Sequence, residues 1–307
     1  MESNEPCHIC IRQCKIGNSF CFRRDQYGKL VHGNRLCAVS VDNLFDKPII
    51  YFSKNQKILS IGSWGCNLRC LGCQNVNLSW NTSSEGLHFW EMQPEELIQF
   101  ARENGCKGIC YTFNEPAILI ENIEKIAISA REHGLFNVFV TNSTLTVAST
   151  KRIAQYMDAV ATDIKSMSDS FYYDYCGAQG ISDVTDKILR CIRAFSDSGC
   201  HLEVRTNIIP GGNDQEENYR STASWIRENL GKTTPWHITR FFPSHKLGYL
   251  PQTSIRSMLQ AQHIGFEEGL KYVHTHFSKG CDCAKENNLI DQSLVTKEEK
   301  PHSCCCK

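Results

Sequence analysis

Cys66, Cys70 and Cys73 stand as C-x3-C-x2-C in the stretch SIGSWGCNLRCLGCQN. Three thiolates on one loop can converge on a metal centre. A structural zinc site closes with four ligands, and a cubane [4Fe–4S] cluster usually takes four cysteines. Three ligands leave one metal position open, which suits a reactive centre. The spacing alone leaves two readings: an open cluster, or a zinc knuckle completed by a distant ligand.

A second group, Cys7, Cys10, Cys14 and Cys21, forms C-x2-C-x3-C-x6-C. Four ligands can close a structural zinc or a second cluster, and C-x-x-C can also be redox-active. Eighteen cysteines in 307 residues, grouped at short spacings, favour metal or redox chemistry in a reducing compartment over a disulfide framework. Cys106, Cys110, Cys176, Cys191 and Cys200 read as small core residues. Cys304, Cys305 and Cys306 close a polar segment. They suit a soft metal ion, thiol transfer or chain joining, or belong to a dispensable exposed tail.

The elements that must position these groups are legible from the apolar pattern. Strands are expected at 57–62, 108–113, 137–142, 158–164, 202–209, 236–241 and 271–277, where Val, Ile and aromatics gather. Several lack strict alternation, as strands covered on both faces do. Helices lie between them. Pro94 opens one; Ile120, Ile123, Ala127 and Ala130 mark another; Val184, Ile188, Cys191, Ile192 and Phe195 mark a third. Gly134 and Gly199 stand where helix C-terminal caps belong. Repeated βα units imply an α/β parallel sheet, open or barrel-like. The chain divides into a Cys-rich region (1–54), the βα region (55–283) and a flexible Cys-containing tail (284–307).

Lys plus Arg and Asp plus Glu each total 33, so no overall charge recruits nucleic acid or an anionic membrane. No apolar run reaches a membrane span of roughly 18 residues, and the first residues lack a secretory pattern. The cytoplasm is the expected location.

In parallel α/β sheets the chemistry gathers at the carboxyl ends of the strands. Those ends carry polar residues here: Asn114 and Glu115 in YTFNEP, Asp163 and Lys165 in TDIK, and Arg205 and Asn207 in EVRTN. Asp163 and Lys165 share a strand face, as do Arg205 and Asn207. His237, Arg240 and His245 are substrate-side candidates. His274 and His276 alternate on the last strand and form a weaker metal-site candidate.

C-x3-C-x2-C after the first strand resembles the radical SAM superfamily. Together with FYYDYCGA (171–178) and EEGLKYV (267–273), the strand-end segments resemble the AmmeMemoRadiSam-system radical SAM proteins, relatives of the pyruvate formate-lyase activating enzyme. That likeness runs from about residue 7 to 283. It implies a partial to nearly closed, TIM-barrel-like (β/α) barrel. It also implies a [4Fe–4S] cluster on Cys66, Cys70 and Cys73, with S-adenosylmethionine (SAM) on the open iron. Reductive cleavage of SAM would give a 5′-deoxyadenosyl radical that abstracts hydrogen from a substrate left unidentified.

By the same resemblance, Asn114 and Glu115 accept from the SAM amino group. Asp163 and Lys165 surround its carboxylate, and Arg205 and Asn207 reach its ribose or carboxylate. Some of the relatives also carry a C-terminal pair matched by Cys281 and Cys283, which could share a metal with the first four cysteines. Two positions depart from the pattern. Gly72 replaces an aromatic residue that positions adenine, with Trp64 or Trp80 as substitutes. Val140 replaces an Asp that serves a monovalent cation in related activases. An electron donor such as flavodoxin or ferredoxin, and a Memo-like protein, are the implied partners. The alternatives are a glycyl-radical-enzyme activase, whose substrate is a protein, and a non-catalytic metal carrier or sensor.

Overall fold

Apolar runs that lack alternation require cover on both faces, and the sheet supplies it. The computed structural model describes residues 6–276. In chain order the strands are β1 (Arg35–Leu36), β2 (Ala38–Asn43), β3 (Lys57–Gly62), β4 (Trp90–Glu91), β5 (Gly108–Tyr111), β6 (Phe136–Thr141), β7 (Ala159–Asp163), β8 (His201–Ile208), β9 (Trp236–Arg240) and β10 (Val273–His276). β1 and β4 make a small antiparallel ribbon. The other eight form one sheet in the order β10-β9-β8-β7-β6-β5-β3-β2. From β3 to β10 every neighbour is parallel. β2 runs antiparallel to β3 and edges the sheet. β2 and β10 do not pair with each other, so the barrel is partial.

The helices are α1 (Val76–Ser79), α2 (Pro94–Glu103), α3 (Ile120–Glu132), α4 (Val147–Ala154), α5 (Asp169–Cys176), α6 (Val184–Asp197), α7 (Glu216–Asn229) and α8 (Ile255–Glu267). Their apolar stripes face the sheet. In α6 the buried set includes Val184, Ile188, Cys191, Ile192 and Phe195, spaced for one helix face. At the start of α2, Glu96 accepts a hydrogen bond from the Gln93 amide at 2.7 Å, satisfying an otherwise orphaned donor. Gly134 and Gly199 lie one residue beyond the caps of α3 and α6, at φ of 73° and 82°, a conformation that glycine takes without strain.

The lumen of the barrel has an apolar floor. Ile58, Cys110, Val138, Val140, Ala159 and Ala161 pack there with Leu44 and Ile49. The strand residues alternate with those facing the helices, the two-residue period of a strand. Leu44 and Ile49 come from the segment between β2 and β3, which crosses to the far edge. There the Tyr51 ring packs on Tyr272 and its hydroxyl meets His274 Nε2 at 2.7 Å. This crossing segment fills the floor that strand pairing leaves open.

Candidate active site

The three-cysteine loop begins directly after β3 and is held by backbone-directed side chains. Asn114 Oδ1 accepts from the Ser63 amide at 2.9 Å, and Asn114 Nδ2 donates to Gly65 O at 3.0 Å. Arg69 donates to Cys66 O at 2.7 Å. The end of α5 docks on the same loop: the amides of Arg69 and Leu71 donate to Cys176 O and Tyr175 O at 2.9 and 2.8 Å. Asn114, expected to bind an ammonium group, is therefore engaged by loop backbone at both ends of its amide.

Cys66 is buried, and Cys70 and Cys73 are half-buried. Burial pushes the Cys66 thiol up, with added repulsion from Glu115 and Cys70. Cys70 is raised by its hydrogen bond with Cys176 and then by burial. Burial and Cys70 raise Cys73. Three thiols that resist ionisation need a cationic centre to become thiolates, and bound iron would provide one.

Among the described residues no three His, Cys, Asp or Glu side chains converge closely enough to hold a single metal ion. Zinc at about 2.3 Å from each sulfur would draw the sulfurs to about 3.8 Å of one another. A cubane attaches each cysteine to a different iron and spreads them further.

Facing the loop is a buried charged group. Asp163 accepts from Lys165 Nζ and from Arg205 Nε, both at 2.6 Å. Burial alone would raise Asp163, but the charges of Arg205 and Lys165 outweigh it and bring it down to about 2. The same carboxylate holds both cations in their charged forms. Two cations against one anion leave a net positive charge, which suits a carboxylate ligand. Asn207 stands apart from this group and donates to Thr239 Oγ1 at 3.1 Å.

Glu115 accepts from Thr141 Oγ1 at 2.7 Å and from the amides of Asn142 and Ala117 at 2.8 and 3.0 Å. Burial raises it to about 7, against those hydrogen bonds. A nearby ammonium group would favour its charged form.

Two elements explain the departure at Gly72. A Cβ at position 72 would lie 2.9 Å from Phe241 Cε2 and 3.2 Å from Leu247 Cδ1. The buried Phe241 ring fills the space an aromatic residue there would need. Trp64 is fully buried beneath the Arg23 guanidinium, 3.6 Å from its ring, and is not exposed to a ligand. Trp80 packs edge-on against His245 at 4.4 Å.

The substrate-side candidates separate. His237 is fully buried, donating from Nε2 to Glu203 at 2.6 Å and meeting His276 at 2.8 Å through Nδ1. Glu203 also accepts from His201 and from the Ile50 and Tyr51 amides. His237 thus belongs to a latch on the crossing segment. Arg240 is buried and donates to Thr253 O at 2.7 Å, whereas His245 is exposed. Among the described residues, His274 and His276 do not join with a third ligand at single-ion distances.

Cys7, Cys10, Cys14 and Cys21 lie in one folded segment against the three-cysteine loop. Cys281, Cys283 and Cys304–Cys306 lie outside the described residues. The sequence reading missed Arg12, Asn67, Cys176 and Glu203. Arg12 Nε donates to Asn67 O at 2.5 Å, and Asn67 Nδ2 donates to Thr144 Oγ1 at 2.6 Å. Asn67, Cys176 and Glu203 lie in segments the sequence singled out for other residues, CNLRC, FYYDYCGA and EVRTN, whereas Arg12 left no signal.

The Radical SAM superfamily profile matches residues 61–223, the span from the end of β3 into α7. The chain belongs to the radical SAM superfamily. A relative from Methanocaldococcus jannaschii, named "Uncharacterized protein MJ0808", is 33% identical over 87% of this chain and 80% of its own. The (2S)-3-sulfopropanediol dehydratase activating enzyme of Klebsiella oxytoca is 24% identical over 64% of this chain. The match spans 60% of that enzyme's length. Among solved structures, a radical SAM methyltransferase from Sphaerobacter thermophilus aligns with a TM-score of 0.55. It is 17% identical over 73% of this chain and 67% of its own, a likeness of fold. Radical SAM proteins use a [4Fe–4S] cluster and SAM, and the loop carrying Cys66, Cys70 and Cys73 fits that donor set. Among the described residues no helix is long and apolar enough to cross a membrane.

Proposed function

We propose that this radical SAM protein is an enzyme that cleaves SAM reductively and passes the radical to a substrate by hydrogen abstraction. The observation that carries the reading is the juxtaposition of the Cys66, Cys70 and Cys73 thiols with the Arg205–Asp163–Lys165 group and Glu115. When bound, the cluster supplies one electron to the sulfonium. The chain's own residues do the rest. Lys165 and Arg205 offer positive charge to the SAM carboxylate, held in place by Asp163. Glu115 accepts from the amino group, and Asn114 and Arg69 hold the loop rigid. A non-catalytic metal carrier would have no use for this arrangement.

A second reading concerns the substrate. Two relatives are named as activating enzymes, which favours a protein substrate carrying a glycyl-radical site. Val140 packs in the apolar lumen and offers no oxygen to a monovalent cation of the kind related activases bind. The AmmeMemoRadiSam likeness favours a Memo-like partner instead. A flavodoxin or ferredoxin would deliver the electron in either case, and a cytoplasmic location suits both.

The test is anaerobic. The protein is reconstituted with iron and sulfide, reduced, mixed with SAM and assayed for 5′-deoxyadenosine by mass spectrometry. A variant with Cys66, Cys70 and Cys73 changed to Ala runs alongside. Cysteine-dependent 5′-deoxyadenosine is expected; failure of the wild-type loop to load iron would overturn the reading.

A further inference from the structure

We propose that His276 is a proton-accepting residue on the substrate side of the barrel lumen, with His237 and Glu203 as the positioning residues behind it. The use of that proton in turnover rests on the function proposed above; the chain of groups itself does not.

The register places these side chains. Ala159 and Ala161 of β7 line the floor of the lumen, and Asp163, two residues further on, shares their face. Asp163, Arg205, His237 and His274 then stand side by side across β7 to β10. Asn207, Thr239 and His276 make the next row toward the carboxyl ends. Burial falls in the same direction. Glu203 and His237 are buried, whereas Asn207, Thr239 and His276 are half-buried. Polar groups thus run from the closed floor to the mouth, beside the Asp163–Arg205 pair.

The hydrogen bonds set the tautomers. Glu203 Oε1 accepts from the Ile50 and Tyr51 amides at 2.9 and 2.8 Å and from His201 Nε2 at 2.8 Å. Oε2 faces His237 Nε2 at 2.6 Å. Burial alone would raise Glu203, but the hydrogen bonds from His201 and His237 bring it down to about 2. It is a carboxylate and can only accept. His237 therefore donates from Nε2, which in the neutral ring leaves Nδ1 as an acceptor. His276 Nε2 lies 2.8 Å from that Nδ1 and donates to it. The lone pair of the neutral His276 ring is then on Nδ1, at the outer end of the chain.

A proton taken up at His276 is passed inward. Burial pushes His276 down to about 3, with added repulsion from His237, His274 and Arg205. As an N–H bond forms at His276 Nδ1, the Nε2 proton moves to His237 Nδ1. The charge ends on His237, against Glu203. Only a proton moves, so the step needs no oxidant. The substrate class follows. It carries an O–H or N–H on or beside the carbon that loses its hydrogen atom, because that loss makes the neighbouring proton more acidic.

The test reads tautomers on the full-length protein carrying isotope-labelled histidine, at mildly alkaline pH. Long-range proton–nitrogen NMR spectra are compared for wild type, Glu203→Gln and His237→Gln, with His276→Asn supplying the assignment. In wild type, His237 and His276 are both expected as Nε2–H tautomers. Glu203→Gln should reverse them. Its carbonyl stays with the donors at Oε1, its amide N–H group faces His237 Nε2, and both rings switch to Nδ1–H. His237→Gln can donate to Glu203 and accept from His276, so His276 should stay Nε2–H. Diethyl pyrocarbonate, which acylates a bare ring nitrogen, reports whether Nδ1 is open to the lumen. Peptide mass spectrometry should find His276 acylated in wild type and His237→Gln, and about tenfold more slowly in Glu203→Gln, the weight of one hydrogen bond. The inference is overturned if wild-type His276 is the Nδ1–H tautomer, if it resists acylation, or if Glu203→Gln leaves its tautomer unchanged. Neither measurement needs the cluster or SAM. If both come out as expected while the three-cysteine loop loads no iron, the function proposed above falls and the proton-accepting chain stands.

Discussion

Replacing Asp163 by Asn removes the one negative charge between two buried cations. Asp163 is 9% exposed, and Lys165 Nζ and Arg205 Nε both lie 2.6 Å from its oxygens. Its fall from 3.8 to about 2 corresponds to about 2 kcal/mol of net favourable interaction, at about 1.4 kcal/mol per tenfold change. Asn keeps the shape but leaves the cations facing each other. Breaking a buried pair costs about 3–5 kcal/mol, so a loss of about 3 kcal/mol is expected. For a chain of this size that lowers the melting temperature by about 5 °C.

The sign of the pH dependence follows from the lowered pKa. The stability Asp163 contributes is present above 3.8 and lost as pH falls toward about 2. The gap between wild type and Asp163→Asn should therefore stay constant from pH 5 to 8. Adding Arg205→Gln to Asp163→Asn should restore part of the loss, since it removes one of the two unopposed cations. Thermal melts of the apo forms check this. A variant melting within 1 °C of wild type, or a double variant with purely additive losses, would refute the reasoning.

Three further outcomes are expected. Gly72→Phe should destabilise the loop by about 1–3 kcal/mol through overpacking, and Phe241→Ala in the same chain should recover most of it, read by denaturant melts. Glu115, raised to about 7 by burial, contributes stability that is full below pH 4.5 and lost as pH rises through 7. Wild type should therefore lose stability between pH 5 and 8 relative to Glu115→Gln, and parallel pH–stability curves would count against the assignment. Glu203→Ala leaves the buried His237 donor, the partly buried His201 donor and two backbone amides unpaired. It should cost about 3 kcal/mol and speed amide exchange at Ile50 and Tyr51 by hydrogen-exchange mass spectrometry; unchanged exchange there would remove the latch.

The βα core was legible because its signals are local. Val-, Ile- and aromatic-rich runs marked all seven strands from β3 on, apart from the short β4, to within two residues, since strands covered on both faces cannot carry many polar groups. β2 escaped because AVSVDN is an edge strand with its middle half-exposed, and an edge demands less apolar sequence. The charged site was half legible. Two residues on one strand share a face by geometry, so Asp163 and Lys165 could be paired from sequence. That Arg205 completes the group depends on the register of β7 with β8, where Asp163 stands opposite Arg205.

The residues that escaped the sequence altogether act across long separations. Asn67 and Arg12 are 55 positions apart, and Arg12 and Gly177 are 165 apart. Neither pair belongs to a periodic pattern. Gly72 shows the converse. In sequence it is a missing aromatic residue, a gap in the site. In the fold, Phe241, the residue just after β9, fills the same space. Loss of an aromatic side chain from the loop is offset by gain of one 169 positions away. A motif position can thus be empty while its volume is occupied, and only the Gly72→Phe/Phe241→Ala pair separates a lost contact from a relocated one.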